Sequence, residues 1–136
     1  TGWWKQPVAG DFVWCYFPQD QLLEPGPKPR PGLILKVRRV LGADAQFAVE
    51  IVYGTSQKVE SLFPGEFLLD RSEIEAFQLS GLSYPTKFNL GRIAELPYND
   101  LWFTVPPVPR HGQCPKLGTL HPSLMPRLRA ARNAVR

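Results

Sequence analysis

Arg30 stands between Pro29 and Pro31, two residues after Lys28, and the run Gly32-Leu33-Ile34-Leu35 carries it into an apolar segment. Prolines at the alternate positions 27, 29 and 31 cannot continue a helix or a sheet ladder, so the approach is an extended linker. The proline after Arg30 sets it in an extended conformation. A permanently charged, planar donor fork is thereby pinned at the mouth of a strand. Such a position suits phosphate recognition, and it also suits a structural ion pair. A second polar set, Thr55-Ser56-Gln57, follows the β-forming run that ends at Tyr53. If the two runs are hairpin partners, Arg30 and Thr55 emerge at the same end of the sheet. A cationic fork beside hydroxyls is a phosphodiester site. The alternative is that Thr55 and Ser56 cap a turn, which spacing alone favours.

Other chemistries find less support. His111 and His121 both lie in a proline-rich stretch, and neither has a spaced Cys or carboxylate partner, so no metal site is expected. No G-x-S-x-G elbow, Walker loop or G-x-G-x-x-G occurs, which removes hydrolase-triad, nucleotide and dinucleotide readings. Asp11 and Asp20 are a formal acid pair, but Asp11 beside Gly10 reads better as a turn residue. No cofactor is implied. Cys15 and Cys114 make no metal spacing and read as reduced thiols of a cytoplasmic protein.

The elements that must position these residues are mostly strands. Asp11–Phe17 follows Gly10 and is rich in β-formers. Its alternation puts Val13, Cys15 and Phe17 on one face and Phe12, Trp14 and Tyr16 on the other. Both faces are apolar, so one covers the core and the other meets a second layer or a partner. Trp3-Trp4 cap one end of that core. The second strand runs from Gly32 to about Arg39, a turn follows at Gly42–Ala45, and the third runs from Gln46 to Tyr53, an antiparallel meander. Glu66–Leu69, Thr86–Leu90, Ile93–Leu96 and Trp102–Val105 read as further short strands. Ser72 and Glu75 form a capping box ahead of a helix over 73–79 that stops at Gly81. Residues 106–122, with five prolines, form an irregular arm. A terminal helix over 123–135 presents Leu124, Leu128, Ala131 and Val135 on one face and Arg129, Arg132 and Arg136 on its flank. These elements describe one domain spanning residues 1–136, a small β-barrel over about 8–105 with appended helices.

The composition agrees with a single globular domain: 43% hydrophobic and 21% charged over 136 residues, with 15 prolines and 11 glycines for turns. Net charge is +4 but unevenly placed. Residues 1–100 hold ten Lys/Arg against twelve Asp/Glu, while 101–136 hold six and no acid. That asymmetry implies either a polyanion-binding surface near the C-terminus or a solvated basic tail. No apolar run reaches the roughly 18 residues of a membrane span. The opening Thr1-Gly2-Trp3-Trp4 has neither an initiator Met nor a signal-peptide pattern, and reads as a trimmed start.

Gly10-Asp11-Phe12-Val13-Trp14, then Lys28-Pro29-Arg30-Pro31-Gly32-Leu33-Ile34-Leu35, resembles the opening of the PemK/MazF family of bacterial toxins. That family has a G-D-hydrophobic-V strand, a basic R-P loop and an apolar strand. Tyr53-Gly54-Thr55-Ser56-Gln57 is similar to its next signature, a strand ending in Thr or Ser. Gly81–Phe88 with Leu96-Pro97 falls where the family has a strand carrying Lys or Arg, here Lys87. The match covers roughly residues 8–100. It implies an SH3-like barrel that dimerises, is held by a cognate antitoxin and cuts single-stranded RNA without a metal, leaving a 2′,3′-cyclic phosphate. It also implies that Arg30 and Thr55 are the catalytic pair. Lys28 and Lys87 would then bind backbone phosphates beside Ser56 and Gln57, with Trp14, Tyr16 or Phe17 stacking bases. The long loop 18–29 and the arm 106–122 depart from the family pattern. The same barrel also serves gyrase-directed toxins that cleave nothing, so a non-catalytic, protein-binding barrel is the alternative.

Overall fold

The first strand, β1 (Asp11–Cys15), is buried on both faces, and its alternation sorts its side chains onto two cores. Phe12 enters one cluster with Leu33, Val52, Phe88 and Leu124. Val13, Cys15 and Phe17 enter the other with Ile34, Val49, Leu96 and Phe103. The computed structural model describes residues 4–19, 24–42 and 44–136. Trp3 and Asp20 lie outside them, while Trp4 packs edge-on against Tyr98 with ring centroids 5.5 Å apart. The face that carries Phe12 is covered by the chain's own first cluster, while Trp14 stays partly exposed.

Around β1 the chain forms one six-stranded antiparallel sheet. Its further strands are β2 (Arg30–Arg39), β3 (Phe47–Thr55), β4 (Glu66–Leu69), β5 (Thr86–Pro97) and β6 (Lys116–Thr119). They lie in the order β4-β5-β3-β2-β1-β6. Two expected strands, Thr86–Leu90 and Ile93–Leu96, are halves of the single strand β5, which bends where Tyr53 alone on β3 faces the four residues 89–92. So large a bulge curls the sheet, and the front half of β5 is left to pair with β4 as well. Helix α1 (Ile74–Ser80) packs on β6, and helix α2 (Met125–Ala134) packs on β4 and β5. Leu124, just ahead of α2, is fully buried, and Ala131 and Leu128 follow it onto the first cluster. The architecture is therefore mainly β, a curled half-barrel with two helices, consistent with a small β-barrel. Among the described residues no helix is long and apolar enough to cross a membrane.

Several expected boundaries move for identifiable reasons. Arg30 and Pro31 lie inside β2 rather than before it. Trp14, opposite Pro31, sends its N–H to the Pro115 carbonyl and accepts the Thr104 amide, so this position of the ladder needs no donor from proline. Trp102–Val105 is not a strand; it meets the sheet through the single bridge Cys15↔Phe103. The arm holds a strand, β6, formed by pairing with β1. Ser72 is not the helix cap: its amide and hydroxyl both donate to Asp70 Oδ1, at 3.0 and 2.6 Å. A 3-10 turn, Pro122–Leu124, leads into α2, and His121 Nδ1 accepts the Ser123 amide at its start.

Candidate functional site

Five strand ends meet at one end of the sheet. β1 ends at Cys15 opposite Arg30, where β2 begins. β3 ends at Thr55 opposite Lys87, near the start of β5, and β6 begins at Lys116, which pairs with Val13. The β2–β3 ladder ends at Gly32↔Tyr53, two residues short of Arg30 on one strand and of Thr55 on the other, so both leave the pair at the same end. The two strands are antiparallel neighbours, and Thr55 closes its strand rather than following it.

A cavity of about 510 Å³ opens at this end, and Arg30, Thr55, Lys28, Ser56 and Gln57 all line it. Its wall is completed by Trp14, by Tyr84 in the α1–β5 connection, and by Arg110 and Lys116 from the arm. Among the described residues four cations and no carboxylate line the space, so its field favours an anion. Lys116 is partly neutralised by Asp11, 3.4 Å away. Asp11 Oδ2 also accepts the Val8 amide at 2.9 Å, which is the turn role expected of it. Among the described residues Lys28, Arg30 and Arg110 take no hydrogen bond or ion pair; Arg30 rests its guanidinium 5.8 Å from the centre of the Tyr53 ring.

Thr55 fills the turn role weighed for it and also lines the cavity. Its Oγ1 accepts the Gln57 amide at 3.1 Å, closing a turn, and its hydroxyl proton remains available to a ligand. Gly54 beside it is a steric necessity: a Cβ there would come within 2.6 Å of the Phe88 ring and 2.9 Å of Thr86 Cγ2. The opposite wall is tied down in the same way. Gly81 sits at φ +71°, and a Cβ on it would fall 1.9 Å from the Leu117 carbonyl oxygen. The α1–β5 connection is thus seated on β6 by direct backbone contact.

Lys87 is not brought to the cavity. Its Nζ is buried against the Ser61 carbonyl at 2.9 Å and Glu66 Oε1 at 3.1 Å, so its charge is spent inside the fold. Phe17 is buried in the second core, 5.5 Å from the Tyr53 ring, and Tyr16, though half-buried, does not line the cavity; of the three aromatics proposed to stack bases only Trp14 does. Cys15 is fully enclosed, and burial pushes its thiol well above the ordinary range, which makes it inert at neutral pH. His111 is exposed on the arm. Sequence reasoning missed Tyr84, Arg110 and Lys116; the acid-free charge of residues 101–136 was the one signal that pointed toward the last two. In comparison with known proteins, the chain matches no family model and no curated protein.

Proposed function

We propose that this chain is an endoribonuclease toxin of a toxin–antitoxin pair, acting on single-stranded RNA without a metal. One observation carries the reading: Lys28, Arg30, Thr55 and Ser56 converge on a cavity that, among the described residues, no carboxylate lines, with Trp14 beside them. Those are the groups a phosphodiester and its bases require. In the proposed step the ribose 2′-oxygen attacks the adjacent phosphorus and the bond from phosphorus to the 5′-oxygen breaks. The 2′-hydroxyl proton passes to solvent water, the leaving 5′-oxygen takes a proton from solvent water, and a 2′,3′-cyclic phosphate remains. Arg30 neutralises the charge that grows on the phosphorane oxygens. Thr55 positions the phosphate through its free hydroxyl proton. The curled sheet is consistent with the SH3-like barrel of the PemK/MazF type. On this reading the protein works in the cytoplasm as a two-fold dimer, and an acidic segment of its antitoxin fills the same cationic cavity.

The test is cleavage of single-stranded RNA in the presence of EDTA, followed on a gel for wild type, Arg30→Ala, Arg30→Lys and Thr55→Ala. Each alanine variant is expected to lose about a hundredfold or more, the equivalent of roughly 2.7–4 kcal/mol of barrier for one phosphorane donor. Arg30→Lys keeps the charge but loses the planar fork, and should remain impaired. Unchanged cleavage by Arg30→Ala, with the fold confirmed by circular dichroism, removes this site assignment. A second reading, a non-catalytic barrel that binds a protein as gyrase-directed toxins do, is favoured by a different observation. Among the described residues no His, Asp, Glu or Cys lines the cavity, so none of them offers a side chain with a near-neutral pKa to take the 2′-hydroxyl proton. Absence of cleavage by wild type on every single-stranded RNA tried would select it.

A further inference from the structure

Tyr84 is a large ring left 69% exposed on the cavity wall, and among the described residues it stacks on no other ring or cation. Its backbone, by contrast, is held on both sides. Thr86 Oγ1 donates to the Tyr84 carbonyl at 2.7 Å, and Arg71 Nη2 donates to the Ser83 carbonyl at 3.0 Å. An exposed aromatic on an immobilised loop beside unpaired cations is a platform for a nucleobase, since every base offers a π-face.

Arg110 marks where the next phosphate goes. It stands on the wall shared between the cavity of Arg30 and a second cavity, of about 430 Å³, under α1. Leu82 is the other shared residue. The second cavity contains Arg71, whose guanidinium lies 5.1 Å from the centre of the Phe77 ring, and again no carboxylate. The two spaces adjoin at Arg110 and Leu82, with Arg30 in the first and Arg71 in the second, and among the described residues no acid lines either.

Resting on the RNA reading above, we propose that Tyr84 and Arg110 form a second nucleotide subsite. The strand leaves the Arg30 cavity across Arg110 and runs into the cavity under α1. Tyr84 stacks one base, and Arg110 binds the phosphate beyond it. The arm is thus a specificity element that selects substrates extending past the reacting phosphate.

Fluorescence anisotropy with 2′-O-methyl RNA, which cannot supply the attacking hydroxyl, tests this without turnover. A trinucleotide and a decanucleotide are compared on wild type, Tyr84→Ala, Tyr84→Phe and Arg110→Ala. On the decanucleotide, Tyr84→Ala and Arg110→Ala should each weaken binding by about tenfold, with Tyr84→Phe close to wild type. The trinucleotide should change by less than about twofold, and Arg110→Ala should reduce the salt slope by about one phosphate contact. Unchanged decanucleotide affinity in both variants, while wild type binds, overturns the subsite and leaves the RNA reading standing. Equal losses on both lengths put Tyr84 and Arg110 within the first site and overturn it as well. If wild type binds neither oligonucleotide at low salt, both readings fall together.

Discussion

Glu66 Oε1 accepts from Lys87 Nζ at 3.1 Å and from the Phe63 amide at 2.8 Å, and both charged side chains are about nine-tenths buried. Removing one partner of such a pair strands the other charge away from water. Glu66→Ala is therefore expected to lower the unfolding free energy by about 3 kcal/mol in urea titrations. Lys87→Met should leave RNA affinity within about twofold; a loss of affinity without loss of stability would return Lys87 to the interface. The residue-level reading of the sequence divided along this line. Arg30, Lys28, Thr55, Ser56 and Gln57 were legible because each sits within two residues of a strand end that the β-forming runs already marked. Lys87 was misplaced because its environment is set by the 61–66 loop, 21 or more residues earlier in the chain. Arg110 and Lys116 were invisible as site residues, since they reach the cavity only once β6 has paired with β1.

Helix α1 begins without a side-chain cap of its own, and the turn before it is organised by Asp70. Hydrogen bonds from the Ser72 hydroxyl and amide, helped by the nearby Arg127 guanidinium, hold the Asp70 carboxyl below its usual range. A carboxylate depressed in the folded state contributes its full stability above its unfolded pKa, about 3.9, and loses that contribution as pH falls through the folded value. Asp70→Ala should thus be less stable than wild type at pH 6, and the gap in urea midpoints should narrow progressively between about pH 5 and pH 2. A gap that stays constant over that range would show that the charge plays no part. The capping box in the sequence had the right helix and the wrong acceptor: Asp70, two residues upstream, competes for Ser72 and wins. Elements with strong local patterns, β1, β2, β3 and α1, were legible to within two residues. The arm's strand was not, because Pro115 and Gly118 argue against a strand locally and only the neighbouring β1 supplies its ladder.

Across the whole chain, the C-terminal segment closes the first core rather than hanging free as a basic tail. Leu124 is fully buried and Ala131 nearly so, while no residue of α2 lines the Arg30 cavity or the one under α1. Deleting residues 123–136 should therefore cost at least about 3 kcal/mol, seen as a lower melting temperature. The salt slope of RNA binding by the folded remainder should not change; a shallower slope at an unchanged melting temperature would make the helix an RNA contact instead. The basic bias of residues 101–136 thus has two destinations, the arm cations at the cavity and the arginines of α2 away from it.

The pairing of β1 with β6 has a consequence for how such a protein is born. Cavity walls come from Trp14 at one end of the chain and Leu117 at the other, and β1 lacks its second neighbour until residues 116–119 are made. A ribosome adds roughly 5–20 residues per second, and the chain emerges N-terminus first. Throughout that interval the nascent polypeptide holds Arg30 and Thr55 but no enclosed groove around them. An enclosed cavity around Arg30 and Thr55 therefore waits on β6, the last strand of the sheet to be made.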